Sequence, residues 1–170
     1  PAHEAKSRLI EGNKRFINAT SNPGDVSLER RVDTLKNGQH PYAIVLCCSD
    51  SRQVPEAIFS AGIGELFVIR VAGNVGDSHQ LEYAADHLDC KLVVVLGHNH
   101  CGAVEAAIKH DPDGHIKYIT DDIREAIKEE KDEYIATCLN VKHSVKVIED
   151  NTDMKLLEEK GLEVIGAVYH

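Results

Sequence analysis

Tyr42-Ala43-Ile44-Val45-Leu46-Cys47-Cys48-Ser49-Asp50-Ser51-Arg52 joins a short apolar run to a cluster of reactive and charged side chains. Ala43 to Leu46, preceded by Pro41 and followed by small polar residues, predict a short strand buried on both faces. A second stretch repeats the plan: Leu92 to Leu96, then Gly97, His98, Asn99, His100, Cys101 and Gly102. In open α/β sheets ligands bind beyond the carboxyl ends of the strands, so two such ends can bring Cys48, His98 and Cys101 together.

Outward from these strands the chain alternates. Glu4 to Asn18 predicts a helix with Leu9, Phe16 and Ile17 near one side, too few apolar residues to be buried in a core. It is expected to lie across a surface, as an arm on this chain or on a partner subunit. Asn22, Pro23 and Gly24 break it, and Ser27 is an N-cap candidate for a helix through Lys36 that stops at Asn37 and Gly38. After Arg52, Pro55 opens a short helix through Ala61, and Leu66 to Val71 is a second buried strand. Ala72, Gly73 and Asn74 form a loop where backbone can approach a ligand closely.

Leu81 to Leu88 and Cys101 to His110 read as helices around the strand that starts at Leu92, and a turn spans Asp111 to Gly114. Helices follow at Ile116 to Glu130, at Glu133 to Glu149 with an apolar stripe of Ile135, Cys138, Leu139 and Val145, and at Lys155 to Lys160. Leu162 to Tyr169 is a last strand. The pattern predicts one α/β domain over residues 1–170: a helical arm at 1–37, then a core at 38–170 with a mostly parallel sheet of four to five strands flanked by helices.

With 170 residues, 42% of them hydrophobic, the chain can bury one core. A formal net charge of -9 argues against a duplex nucleic-acid binder and against an anionic membrane surface. No run of about 18 apolar residues is present, and Pro1 to Arg15 is polar and amphipathic rather than signal-like, so a soluble, cytoplasmic protein is expected. Five cysteines, an odd number at irregular spacing, favour a reducing compartment and thiolate or metal chemistry over disulfides.

Cys47, Cys90 and Cys138 read as small buried hydrophobes. Cys48 and Cys101 sit among polar residues at strand ends, and His98 precedes Cys101 by three positions. Two thiolates and an imidazole suit zinc in tetrahedral geometry, and three protein ligands leave a fourth position open, as at a catalytic site. Two other readings of the same residues fare worse. A cysteine phosphatase loop would not place Asp50 between Cys48 and Arg52, where it repels an anion. A thioredoxin-like site needs two cysteines separated by two residues, and the chain has none.

These residues resemble the β-class carbonic anhydrases. Cys48-Ser49-Asp50-Ser51-Arg52 is similar to that family's first motif and His98-Asn99-His100-Cys101-Gly102 to its second. Gly38, Gln39, Pro55, Gly64 to Phe67, Arg70, Ala72 to Asn74, Glu82 to Ala84 and Val93 to Val104 extend the likeness over nearly the whole chain. The resemblance implies Cys48, His98 and Cys101 as ligands of one zinc ion per chain and Asp50 and Arg52 as a catalytic dyad. It also implies Gln39, Phe67, Ala72, Tyr83 and Gly102 as substrate-pocket residues. It implies reversible hydration of carbon dioxide to bicarbonate and a proton by zinc-bound hydroxide, in a homodimer or a dimer-based oligomer with sites at the interface. Asp50 either binds zinc as a fourth ligand or is held off it by Arg52. The stretch from Asn74 to Glu82 is shorter than the family pattern, which leaves the register of Tyr83 open. Two alternatives remain: the same site acting on another small heterocumulene such as carbon disulfide, and a catalytically silent zinc-binding module. For proton export, His79, His87 and His100 are candidates with no feature that favours one of them.

Overall fold

The computed structural model describes residues 1–21, 24–76, 78–109 and 113–170. The break expected at Asn22 and Pro23, the start of the turn at Asp111 and the side chain of His79 lie outside the described residues. Four strands, β1 (Ala43–Cys47), β2 (Leu66–Arg70), β3 (Leu92–His98) and β4 (Glu163–Tyr169), form one sheet in the order β2-β1-β3-β4 with every pair parallel.

Strict alternation along β1 and β3 divides the core. Ile44, Leu46, Val93 and Val95 face one layer, while Ala43, Val45, Cys47, Leu92, Val94 and Leu96 face the other. The first layer holds helix α4 (Ser78–Glu82), α7 (Glu133–Asp150) and α8 (Thr152–Glu158), through Leu81, Val141, Ile148, Met154 and Leu157. On the opposite face lie α1 (Ala2–Asn18) and α3 (Pro55–Ile58), through Ala2, Ala5, Leu9, Ile58 and the adjoining Phe59. The β1-to-β2 connection thus lies on one face, and the β2-to-β3 and β3-to-β4 connections, which travel the other way along the sheet, lie on the other. Crossovers of one hand require that arrangement.

The order also locates a switch point. From β1 the chain moves to β2 on one side, and from β3 it moves to β4 on the other, so the carboxyl ends of β1 and β3 diverge and leave a crevice between them. Helices α5 (Gly102–Lys109), α6 (Ile116–Ile127) and α7 cover that end, where Val104, Ala107, Ile123, Ile127 and Ala136 pack around Cys48 and Cys101.

Several elements differ from the sequence reading. β3 runs on to His98, because Gly97 lets α7 lie close: a Cβ there would stand 2.6 Å from Val141 Cγ2. The helix expected over Leu81 to Leu88 starts at Ser78 and ends in a π-helical turn, Tyr83–His87, which takes up the extra residue per turn without breaking the element. The apolar stripe assigned to α7 is only its flank: Leu139 and Val145 pack partly buried against the core. Ile135 is exposed, and the buried side carries Ala136, Thr137, Asn140, Val141, Ser144 and Ile148. Helix α1 docks on its own chain through its smallest residues. A Cβ at Gly12 would lie 1.8 Å from the Phe59 carbonyl oxygen, so only glycine allows this contact. Helix α2 (Leu28–Asn37), capped by Ser27 Oγ accepting from Arg30 N, buries none of its residues. Among the described residues no helix is long and apolar enough to cross a membrane.

Candidate metal centre

Parallel pairing puts Cys47 beside Leu96 on β3 and beside Arg70 on β2, so Cys48 emerges at the carboxyl edge level with the end of β3. His98 is the last residue of β3, and Cys101 precedes the first turn of α5. The ligand atoms of Cys48, His98 and Cys101 lie within 4.8 Å of one another, and all three residues are buried. The two sulfurs are 4.0 Å apart.

The imidazole of His98 is set by its own strand end. Nδ1 lies 2.9 Å from the Asn99 carbonyl oxygen, and a ring nitrogen facing a carbonyl carries the proton. Nε2 is then the lone-pair nitrogen. It is buried, with no hydrogen-bond partner, in a residue only 3% exposed. An orphaned imidazole nitrogen aimed at two sulfurs fits a metal ion, because burial of an unsatisfied acceptor is unfavourable unless something fills it.

Charge follows the same geometry. Hydrogen bonds from Cys101 and from the Gly73 amide, whose nitrogen is 3.3 Å from Cys48 Sγ, hold the Cys48 thiol well below the usual range. Cys101 is pushed up by the neighbouring Cys48 sulfur and by burial, so the pair keeps one proton between them. The Cys48 sulfur beside it also raises His98. By contrast Cys47 and Cys90, buried without such donors, are pushed up to about 12.

Asp50 faces Arg52. The guanidinium donates from Nε to Oδ1 at 2.9 Å and from Nη2 to Oδ2 at 2.7 Å, and the Arg52 amide donates to Oδ1 at 2.9 Å. These bonds hold the Asp50 carboxyl below the usual carboxylate range. Arg52 is itself anchored, since Nη2 also donates to the His100 carbonyl at 2.8 Å. Asp50 Oδ2 remains 4.0 Å from His98 Nε2, at the margin of the cluster. Arg70, the last residue of β2, donates to the Cys48 and Asp50 carbonyls and braces the loop from the other side.

The residues expected in a pocket are not gathered in one place by a single chain. Ala72 begins the 3₁₀ turn Ala72–Asn74, whose Gly73 amide meets Cys48, and Gly102 opens α5 next to Cys101. Phe67 pairs in register with Ile44, toward the amino end of the sheet, and its ring contacts Tyr83 at 6.1 Å. Tyr83 is 50% exposed. Gln39 is exposed and precedes β1, so the length of that strand, roughly 15–20 Å, separates it from Cys48.

Residues that sequence reading did not single out complete the frame. Gln53 is 0% exposed; its Oε1 accepts from Cys48 N at 3.1 Å and its Nε2 donates to the Leu96 and Gly97 carbonyls. It ties the end of β1 to the end of β3. On α7, Asn140 Nδ2 donates to the Gly73 carbonyl at 2.7 Å and Ser144 Oγ to the Asn74 carbonyl at 3.0 Å, which fixes the turn under Cys48. The available signal was a polar residue at helical spacing, Asn140 to Ser144, on a helix that needed an inner face.

A family profile described as carbonic anhydrase matches residues 43–170. Carbonic anhydrase 2 of Mycobacterium tuberculosis is 45% identical over 109 residues, covering 62% of this chain and 52% of that protein. The chain thus spans about half the length of these curated relatives. Among solved structures, the β-carbonic anhydrase CafA of Aspergillus fumigatus superposes with a TM-score of 0.76 at 28% identity, over 96% of this chain and 85% of that one. A tetrameric β-carbonic anhydrase of Sordaria macrospora gives 0.71 at 26% identity, over 98% and 89%.

Proposed function

Because the chain belongs to the carbonic anhydrase family, in its β class, we propose that it is a zinc-dependent lyase that reversibly hydrates carbon dioxide to bicarbonate and a proton. The observation that carries this reading is the convergence of Cys48, His98 and Cys101, with the unpartnered His98 Nε2, at the switch point of the sheet.

Cys48, His98 and Cys101 would hold one zinc ion per chain. Bound there, zinc would supply Lewis acidity that makes water a hydroxide donor near neutral pH. The chain's own residues do the rest. Asp50 accepts a hydrogen bond from the attacking water at Oδ2 and keeps the nucleophile oriented. Arg52 holds Asp50 by a two-point ion pair and, through the His100 carbonyl, ties it to the loop between two ligands. With Arg52 in place the carboxylate keeps that orientation instead of turning onto the ligand cluster. Ala72 and Gly102 border the site in their own chain.

Gln39, Phe67 and Tyr83 are assigned to the site of a second subunit, in a homodimer or a dimer-based oligomer. Their distance from Cys48 along the sheet supports that assignment. We treat residues 1–170 as one domain with 1–37 as its arm. Five free cysteines support a reducing, cytoplasmic setting, and the charge of -9 supports an enzyme without nucleic-acid or membrane partners. Stopped-flow hydration of carbon dioxide, run beside zinc analysis, tests the reading. Activity proportional to zinc content, lost in Cys48→Ser, is expected; a zinc-loaded protein without hydration activity would overturn it.

A further inference from the structure

Between the ends of β3 and β4 and the first turn of α7 lies a cleft of about 400 Å³. His100 reaches into it, with Nδ1 at 3.3 Å from Glu133 Oε1. His170 enters from the end of β4; its Nδ1 is 3.0 Å from the Asn99 side-chain amide, and its ring lies 5.3 Å from that of Tyr134. Thr137, one turn beyond Glu133, lines the cleft while only 2% exposed, and its hydroxyl has no hydrogen-bond partner. Asn99 Oδ1 and Glu133 Oε1 are also buried oxygens that accept no well-formed hydrogen bond.

Buried oxygens without donors call for a donor or a cation. Asp132 and Glu133 front the cleft and repel an anion. We propose that this cleft is a second divalent-cation site, separate from Cys48, His98 and Cys101, in which His100, Glu133 and His170 bind a zinc-like ion.

The ligand chemistry fits. Atoms bonded to one ion at about 2.0–2.1 Å in a tetrahedron stand roughly 3.3 Å apart. The His100 to Glu133 separation of 3.3 Å matches that edge. Asp132 caps α7 through the Ile135 amide, so Glu133 is left to face the cleft. Among the described residues, three such ligand atoms lie within 4.8 Å only at the first centre. The second site closes by rotation of the exposed His170 side chain, and it is accordingly the weaker of the two.

Cobalt(II) titration of the purified metal-free protein, followed by equilibrium dialysis and optical spectra, tests this. Two equivalents bind: the first brings a thiolate-to-cobalt charge-transfer band, and the second adds bound cobalt without raising it. Glu133→Gln and His170→Ala each weaken the second equivalent at least about tenfold and keep the first band, which also reports that the variants are folded. A single equivalent up to millimolar free cobalt, or a second one equally tight in both variants, would overturn the proposal. A missing thiolate band would count against the buried centre alone, because dialysis still counts the cleft's ion.

Discussion

An arginine two positions beyond a carboxylate decides where that carboxylate points. Asp50 is held below the usual carboxylate range by Arg52, so its pKa in the folded chain is lower than in the unfolded one. The pair's contribution is full above the ordinary aspartate value of about 3.9 and is lost as pH falls through the folded value below it. Its state is therefore constant between about pH 5 and 8. Arg52→Ala should lower kcat/KM by about 10²-fold, with unchanged zinc content and a wild-type-to-variant ratio that is flat over that range. A ratio that changes steeply with pH would show that Arg52 acts through another group. Gln53 makes a different prediction. Replacing it by Leu leaves the Cys48 amide and the Leu96 carbonyl without their side-chain partner in the interior. Each such group costs about 1–3 kcal/mol, so Gln53→Leu should lower the urea-unfolding free energy by at least about 2 kcal/mol. Cys48, His98 and Cys101 could be read from the sequence because their residue types have few other uses at strand ends. Gln53 could not, since its partners are backbone atoms of a strand some 40 positions away, which no local pattern records.

Helices are recognised by apolar spacing, and α7 shows where that rule fails. Its buried side carries Thr137, Asn140 and Ser144, because two of those side chains hold the carbonyls of the turn beneath Cys48. A reader looking for an apolar stripe is drawn to the exposed Ile135 instead. The strands were easier: buried on both faces, β1 and β3 are continuous aliphatic runs. Asn140→Ala should test the supporting role of α7. It frees the Gly73 carbonyl and loosens the amide that donates to Cys48 Sγ. Zinc affinity should fall about 10–100-fold by competition with a chelating dye, while the far-ultraviolet circular dichroism is unchanged. Unaltered affinity would mean that the turn is held by Ser144 and packing alone. Gly97→Ala probes the same contact from the sheet side. Its new methyl would stand 2.6 Å from Val141, so a loss of about 1–3 kcal/mol in stability is expected from denaturant curves.

At the scale of the whole molecule, the sheet order turns two separate motifs into one centre. Alternating strands and helices announced a parallel α/β sheet, but the sequence holds no local mark that β1 and β3 are neighbours at a switch point; pairing across 50 residues is a property of the packed layers. The same topology implies that a metal ion held by Cys48, His98 and Cys101 would stabilise the fold as a whole. Its ligands would come from the end of β1, from β3 and from the turn into α5, so unfolding any one of them would release the ion. Without it, the interior keeps an unpartnered His98 nitrogen beside two sulfurs that share one proton. An ion bound only by the folded chain adds about 4 kcal/mol at a thousand times its dissociation constant. For a chain of this size each kcal/mol moves the melting temperature by about 2–4 °C. Chelation should therefore lower Tm by roughly 8–16 °C, reversibly on adding zinc, and Cys48→Ser should melt near the chelated wild type and ignore the chelator. Calorimetry on the three samples, with zinc measured in each, checks this. A wild-type Tm that stays put after zinc is shown to have left would mean that the packed layers hold the three ligands in place unaided.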